Sequence, residues 1–154
     1  MVTKLSDVKE LVRQSIKDPK QSFPLIMELA ISEDWKEREV AASILVETGK
    51  KKPEQVIEEM LLWAGHANPN VRRTASEGLR EIARRKPEII MPILEKLKCD
   101  SNIYVKKSVA NVLRNAGNYH PDFVLKVCDE WKTEKNPHTD WVIKDGLRKL
   151  KKAK

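Results

Sequence analysis

Residues 68–87 read NPNVRRTASEGLREIARRKP, and the pattern of this stretch recurs along the chain at an interval of 34 residues. Its leucine belongs to the series Leu11, Leu45, Leu79, Leu113 and Leu147. Its final proline belongs to a second series, in which each member follows a leucine by eight positions: Pro19, Pro53, Pro87 and Pro121. A fixed period of this length predicts a structural unit that is repeated along a line and buries its apolar face against its neighbours.

Apolar residues recur at helical spacing on both sides of each proline. After the proline they occupy the third, fourth and seventh positions, as Ile90, Met91 and Leu94 do. Before it they occupy one face of another helix, as Val71 and Ala75 do. One unit is therefore a helix, a short turn with proline near the start of the next helix, and that second helix.

The residues within the unit distinguish between two repeat families of similar period. A tetratricopeptide unit requires tryptophan, leucine-glycine, tyrosine and alanine in a fixed order, which this frame lacks. The frame instead has an asparagine or aspartate turn, a valine with two basic residues, and then alanine and leucine. This pattern is similar to a HEAT-type repeat. We therefore predict an all-α, armadillo-like fold, a HEAT-like α-α superhelix or solenoid of about nine helices in 34-residue repeats.

Composition narrows the class of protein further. Because 40% of the residues are apolar and no flexible linker divides the chain, we expect one domain over residues 1–154. The chain shows no secretion leader and no apolar run long enough to span a membrane. Its two cysteines, Cys99 and Cys128, are typical of a reducing, cytoplasmic compartment. The three histidines lack the spacing of a metal site, so we expect no metal or cofactor, and we expect a monomer.

Positive charge is concentrated in the second part of the chain. Residues 1–68 hold 10 Lys/Arg against 12 Asp/Glu, a net charge of −2. Residues 69–154 hold 20 against 11, a net charge of +9. A basic surface for a partner is therefore expected in the second part.

Many of these charges fall on one face of the predicted helices, opposite the apolar residues. Equivalent positions of this face, 34 residues apart, hold Arg80, Arg114 and Arg148. Neighbouring helices pack roughly 10 Å apart, so these three arginines are expected to form a ladder on a concave surface. The residues that we predict to bind nucleic acid on and around this arginine ladder are Arg72, Arg73, Arg80, Arg84, Lys106, Lys107, Arg114, Trp141, Lys144 and Arg148.

A regular row of guanidinium groups suits a phosphate backbone, because each planar fork can pair with two phosphate oxygens. The alternative is that outward charges only keep a small solenoid soluble. Trp141 stands among basic positions and is expected either to stack on a base or to cap the end of the array. Trp63 and Trp131 share a frame position with leucines and are predicted to lie in the core.

Four segments together carry a resemblance to a known family: Val71–Gly78, Tyr104–Arg114, His120–Val124 and Trp141–Lys144. They resemble the HEAT-like repeat DNA alkylation repair family, the AlkC/AlkD-like alkylpurine DNA glycosylases, of which this chain looks like a short member. The resemblance covers about residues 60–152. It implies an all-α solenoid that holds DNA against a concave basic surface and, in active members, releases N-alkylated purines.

The resemblance to the catalytic residues is partial. Loss of a purine passes through a cationic sugar, so a glycosylase needs a carboxylate near C1′. In the AlkD-like branch the acid follows a tryptophan by four positions, but here Trp63 is followed by Ala67. The AlkC-like branch has one acid in a Ser-Glu-Gly motif and a second acid just after the leucine of the following unit. Here Glu77 matches the first acid, but the second position holds Asn115. Glu77 is thus the candidate catalytic residue, or simply the intrahelical partner of Arg73.

The sequence favours a DNA-binding HEAT-like protein that is related to alkylation repair glycosylases and contacts the phosphate backbone of duplex DNA without the full catalytic machinery. Two alternatives stay open. One is an active alkylpurine DNA glycosylase that uses Glu77, so the sequence leaves open whether the protein is an enzyme. The other is a protein interaction scaffold whose groove holds an acidic partner.

Overall fold

The structure, a computed structural model, describes residues 5–150. Within this range it contains ten α-helices, one 3-10 helix and no strand. The α-helices are α1 Leu5–Lys17, α2 Pro19–Ala30, α3 Trp35–Lys51, α4 Pro53–Trp63, α5 Pro69–Glu77, α6 Arg80–Arg85, α7 Met91–Leu97, α8 Ile103–Tyr119, α9 Pro121–Lys132 and α10 Pro137–Gly146. The 3-10 helix spans Pro87–Ile90 and leads directly into α7.

Some of these helices follow one another with no loop between them. α5 and α6 are separated only by Gly78 and Leu79, and the 3-10 helix is the first turn of α7. Counted in this way, residues 5–150 form nine helical segments. The predicted all-α fold and the predicted number of helices are confirmed.

The helices pack in two layers around one core. α1, α3, α5 with α6, α8 and α10 form the first layer, in which each helix packs against the next. α2, α4, α7 and α9 form the second layer and pack against the first. Neighbours in the first layer contact each other more extensively than neighbours in the second, so the stack bends toward the first layer. One continuous apolar cluster, from Phe23 to Leu147, fills the space between the layers.

The start of each helix explains the 34-residue period. Four first-layer helices, α3, α5, α8 and α10, begin after an asparagine or aspartate whose side-chain oxygen accepts a hydrogen bond from the first turn. These N-caps are Asp34, Asn68, Asn102 and Asn136. Second-layer helices begin instead at the periodic prolines, which lack the N–H that a first turn leaves unbonded.

Glycine permits close approach between neighbouring first-layer helices. A Cβ atom on Gly78 would lie 3.0 Å from Cβ of Leu45 on α3. Two units later, a Cβ atom on Gly146 would lie 3.2 Å from Cβ of Leu113 on α8. Both glycines stand at the end of a first-layer helix, so the same close approach between a glycine and a leucine of the preceding unit occurs twice.

Trp131 joins two units of the second layer. Its indole is buried, and Nε1 donates to Oε2 of Glu95 on α7 at 2.8 Å. Lys98 Nζ bonds the same carboxylate at 2.6 Å. Burial raises the pKa of Glu95, but hydrogen bonds from Lys98 and Trp131 outweigh it and hold that pKa below its ordinary 4.5. Trp63 is also buried, so the predicted core positions of both tryptophans are confirmed.

Trp63 makes a different polar contact. Its Nε1 donates to Oε2 of Glu59, one turn earlier in its own helix, at 2.9 Å. An open cleft of about 380 Å³ remains between α2 and α4, with Phe23, Met27 and Trp63 among its lining residues. No indole therefore joins these two helices as Trp131 joins α7 and α9.

Arg72 connects three segments of chain. Its Nε and Nη2 donate to the two carboxylate oxygens of Asp100 at 2.7 and 3.3 Å. Its Nη1 donates to the carbonyl oxygens of His66 and Ala67 at 3.0 and 2.9 Å. All three guanidinium nitrogens are thus engaged in holding the turn before α5 and the turn before α8.

Two further observations concern the extent of the fold. Among the described helices, none combines the length and apolar content that crossing a bilayer demands. The single-domain prediction covers residues 1–154, which exceeds the described range, so it stays a prediction. Cys128 lies in the core, and burial raises the pKa of its thiol to about 11.

We predict that Gly78→Ala lowers the free energy of unfolding by about 1–3 kcal/mol, because the new methyl group would press against Leu45. Urea unfolding followed by circular dichroism measures the change. Gly65→Ala is the matched control, since its Cβ atom would meet only a carbonyl oxygen at 3.7 Å. Equal effects of the two substitutions would show that close approach at Gly78 is unimportant.

We also predict that Arg72→Gln destabilises the fold by about 3 kcal/mol, because the mostly buried Asp100 carboxylate loses its cation. Arg13→Gln, which removes an exposed ion pair with Glu10, should change stability little. Adding Asp100→Asn to Arg72→Gln should recover part of the loss in the same urea experiment. Unchanged stability together with weaker DNA binding would instead show that Arg72 acts in DNA binding and not in holding the fold.

Candidate nucleic-acid interface

Two adjoining depressions open on the first layer of helices. The larger, of about 250 Å³ between α5 and α8, is lined by Arg73, Glu77, Tyr104, Lys107, Ser108, Asn111 and Arg114. The smaller, of about 60 Å³ between α3 and α5, is lined by Trp35, Arg38, Glu39, Ala42, Arg73, Thr74 and Glu77. Arg73 and Glu77 line both depressions and separate them. We call the surface formed by these two sets of residues the α3–α8 face.

The structure brings four of the predicted site residues together on this face. Arg73 and Glu77 project from α5, and Lys107 and Arg114 project from α8. The first-layer helices pack side by side, so residues at equivalent positions of neighbouring units become neighbours in space. The 34-residue register predicted this grouping, although their binding to nucleic acid remains a prediction.

Glu77 lies at the junction of the two depressions. Its side chain is 20% exposed, and its Oε1 lies 3.7 Å from Nε of Arg73, one turn earlier on the same helix. Glu39 is the other carboxylate among the lining residues, on the far side of the smaller depression. Asn115, which stands where the resemblance suggested a second acid, lies half-buried on α8 and lines neither depression.

Two members of the arginine ladder share one carboxylate. Arg114 Nη1 donates to the carbonyl oxygen of Asp145 at 2.8 Å and to its Oδ2 at 3.0 Å. Arg148 Nε lies 3.4 Å from Oδ1 of the same residue. The Arg114 side chain is only 16% exposed, whereas that of Arg148 is 61% exposed. Arg114 therefore joins α8 to α10, and Arg148 is the more accessible cation.

The predicted residues on α6 lie in a different environment. Arg84 Nη2 donates to Oε2 of Glu81 at 2.7 Å, and its guanidinium carbon lies 5.3 Å from the ring centroid of Tyr119. The hydrogen bond from Arg84 holds the pKa of Glu81 below its ordinary value. Arg80 is half-buried at the first position of α6, and the described carboxylates all lie more than 4.0 Å from it.

The remaining predicted residues do not line the α3–α8 face. Lys144 lines a separate depression beside α10, together with Lys132. Trp141 is half-buried against the core, and Lys106 Nζ lies 6.0 Å from its ring centroid. Arg72 is engaged by Asp100 and two carbonyl groups.

Two exposed aromatic residues on the α3–α8 face were not predicted. Trp35 is 61% exposed at the first position of α3, and Tyr104 is 59% exposed at the second position of α8. A search for recurring residues misses them, because the position of Trp35 holds proline or isoleucine in other units. The available signal was an aromatic residue in the first turn of a helix, at the first or second position after the N-cap.

The described part of the chain has no group of three or more histidine, cysteine or acidic residues placed to hold a metal ion. The chemistry that the α3–α8 face offers is therefore that of guanidinium and ammonium groups, one central carboxylate, and two aromatic rings.

Comparison with known proteins gives consistent results. A family model described as DNA alkylation repair enzyme matches residues 39–150. The structure of Pseudomonas fluorescens alkylpurine DNA glycosylase AlkC, bound to DNA containing an abasic site analog, is 30% identical with a TM-score of 0.75. The match covers 93% of this chain and 41% of that one, so this chain spans less than half the length of the Pseudomonas protein.

Two streptococcal structures are similar over more of their own length. AlkD2 from Streptococcus mutans is 28% identical with a TM-score of 0.76, over 92% of this chain and 70% of that one. The protein smu.31 from Streptococcus mutans UA159 is 28% identical with a TM-score of 0.74, over 91% and 72%. No curated protein sequence matches the chain.

These similarities confirm the predicted HEAT-like solenoid and the resemblance carried by the four sequence motifs. The family model covers well over half of the chain and includes most of the residues that line the two depressions, from Glu39 to Arg114. On this evidence the chain belongs to the family of DNA alkylation repair enzymes.

Proposed function

We propose that this protein binds DNA through the α3–α8 face and contacts the phosphate backbone of duplex DNA there. The proposal is supported by the family and by the DNA in the complex of the similar Pseudomonas glycosylase. Within the chain, the observation that carries it is the convergence of Arg73, Lys107 and Arg114 around one open depression. Arginine and lysine at such a surface can neutralise phosphates and release their counterions.

The exposed cations are the best candidates for direct phosphate contacts. Lys107 is exposed at the larger depression, and Arg148 is exposed at the edge where α10 meets α8. Arg114 supports the surface by holding α10 against α8, since most of its donors already have partners. Arg73 has one distant carboxylate partner and can turn toward a phosphate at little cost.

We further propose that the protein lacks the full catalytic machinery of the glycosylases. The position at which the AlkD-like branch carries its acid is Ala67, whose methyl group cannot stabilise a cationic sugar. The backbone of Ala67 serves instead as an acceptor for Arg72. The second AlkC-like position is an asparagine, so Glu77 would act without the second acid.

The backbone-binding proposal predicts that the double variant Lys107→Gln, Arg148→Gln binds duplex DNA more weakly and with a shallower salt dependence. Each lost phosphate contact should reduce the slope of log affinity against log salt by about one. Fluorescence anisotropy of a labelled duplex at several salt concentrations measures this slope.

The matched control for that experiment is Lys20→Gln, Lys126→Gln. It makes the same change in net charge with exposed lysines of the second-layer helices α2 and α9. If both double variants lose the same affinity, binding depends on net charge and not on the positions of Lys107 and Arg148. If the wild-type protein binds no DNA at low salt, the scaffold with an acidic protein partner becomes the better candidate.

Base excision is a second candidate function, favoured by the position of Glu77. This carboxylate lies between the two depressions and remains partly accessible. There it could stabilise positive charge on a sugar that is bound in either depression.

The test of this candidate is release of free alkylated purine from methylated DNA, measured by chromatography. If Glu77 is catalytic, Glu77→Gln should abolish release while DNA affinity is retained. Glu39→Gln, which alters the other carboxylate of the smaller depression, should retain release. Absence of release by the wild-type protein would reject the enzyme and leave the DNA-binding proposal unaffected.

A further inference from the structure

The two depressions of the α3–α8 face each carry one exposed aromatic ring. Trp35 belongs to the smaller depression and Tyr104 to the larger, with Arg73 and Glu77 between them. Of the other aromatic side chains, Phe23, Trp63 and Trp131 are buried, whereas Tyr119 is 57% exposed on α8 and lies against Arg84, away from the two depressions. Leaving a tryptophan and a tyrosine about 60% exposed forgoes the gain of burying them, so the arrangement requires an explanation.

Both rings are carried by helix starts whose backbone is held by N-caps. Asp34 Oδ1 accepts a hydrogen bond from the N–H of Lys36, which sets the first turn of α3 beneath Trp35. Asn102 Oδ1 accepts hydrogen bonds from the N–H groups of Tyr104 and Val105 at 2.9 and 3.2 Å. Capped helix starts hold the backbone from which each ring projects, which favours recognition of a ligand by the rings.

Both rings have cations beside them. Arg38 and Arg73 line the depression beside Trp35, together with the carboxylates of Glu39 and Glu77. Lys107 Nζ lies 5.7 Å from the ring centroid of Tyr104, near the outer limit of about 6 Å for a cation–π contact. Flat rings interspersed with cations are the combination that proteins use to bind single-stranded nucleic acid, in which bases stack on rings and cations follow phosphates.

An intact duplex offers these rings no base face on which to stack. Its base faces are stacked on one another, and only base edges and phosphates are accessible in the grooves. A protruding ring can therefore stack only on a base that has left the helix or has no partner.

We propose that the α3–α8 face binds DNA containing unpaired bases, with one base stacked on Trp35 and another on Tyr104. This inference rests on the DNA-binding function proposed above and specifies the kind of DNA that is bound. The rings belong to helices two packing steps apart, which corresponds to about 16–20 Å. The two bases are therefore not adjacent, and a strand of several nucleotides passes the Arg73–Glu77 pair between them. This length agrees with site sizes of about 4–16 nucleotides in single-strand binding proteins.

The experiment compares three labelled DNAs of one sequence by anisotropy: an intact duplex, the same duplex with a single-stranded gap of about eight nucleotides, and the single strand. The wild-type protein should bind the gapped and single-stranded DNAs more tightly than the intact duplex. Trp35→Ala and Tyr104→Ala should each weaken binding of the gapped DNA by about 5- to 150-fold and weaken binding of the intact duplex much less. Leu62→Ala, a change of a 68% exposed residue on α4, is the control and should change neither affinity.

Conservative variants separate stacking from a structural role. Trp35→Phe and Tyr104→Phe keep a ring and should restore most of the affinity for gapped DNA. Gapped DNA should also quench the fluorescence of the wild-type protein, and Trp35→Phe should reduce this quenching while binding persists. Circular dichroism checks that each variant remains folded.

The outcomes distinguish this inference from the function on which it rests. Equal, salt-dependent binding of intact and gapped DNA, with no effect of the alanine variants, overturns the inference and leaves the DNA-binding function standing. Equal weakening of both DNAs by the alanine variants also overturns it, because the rings would then contact the backbone. Failure of the wild-type protein to bind any of the three DNAs at low salt overturns both.

Discussion

Each unit of this protein has an apolar face that only the next unit can cover, and the rest of the structure depends on how closely neighbouring units approach. Gly78 and Gly146 stand where first-layer helices meet the leucines of the preceding unit, and a methyl group at either place would crowd its neighbour. Close approach in the first layer, with looser contacts in the second, bends the array. It also sets the distance between corresponding side chains of successive helices, and that distance decides what the exposed face can bind.

The same constraint determines how charge is distributed. Side chains that point away from the core of one helix lie beside their counterparts on the next, so opposite charges pair between units. Arg114 pairs with Asp145 of the next first-layer helix, and Arg72 pairs with Asp100 before the next unit. Basic residues in such positions stabilise the array, whereas those left exposed, such as Lys107 and Arg148, are available to a partner. The face combines both kinds, which is why net charge alone does not identify the binding residues.

The fold was predictable from the sequence because the period, the caps and the prolines are local signals that repeat. The grouping of Arg73, Glu77, Lys107 and Arg114 was predictable for the same reason. The ion pair between Arg72 and Asp100 was not predictable in this way, because the two residues are 28 positions apart, a separation that differs from the 34-residue period. The exposed rings of Trp35 and Tyr104 were not predicted, because no tryptophan, tyrosine or phenylalanine stands at the equivalent positions of the other units. The 34-residue period therefore gave no indication of them.

The indole of Trp131 provides a cross-link between α7 and α9, two second-layer helices that otherwise touch little, whereas Trp63 bonds within α4 and leaves a cleft toward α2. Lys98 adds a second polar bridge between the same units, because its Nζ bonds both Glu95 and Glu134, which follows α9. Loss of the Glu95 carboxylate would therefore remove the indole bond and one ammonium bond together. One acidic side chain thus joins two units within the part of the chain that carries most of the positive charge.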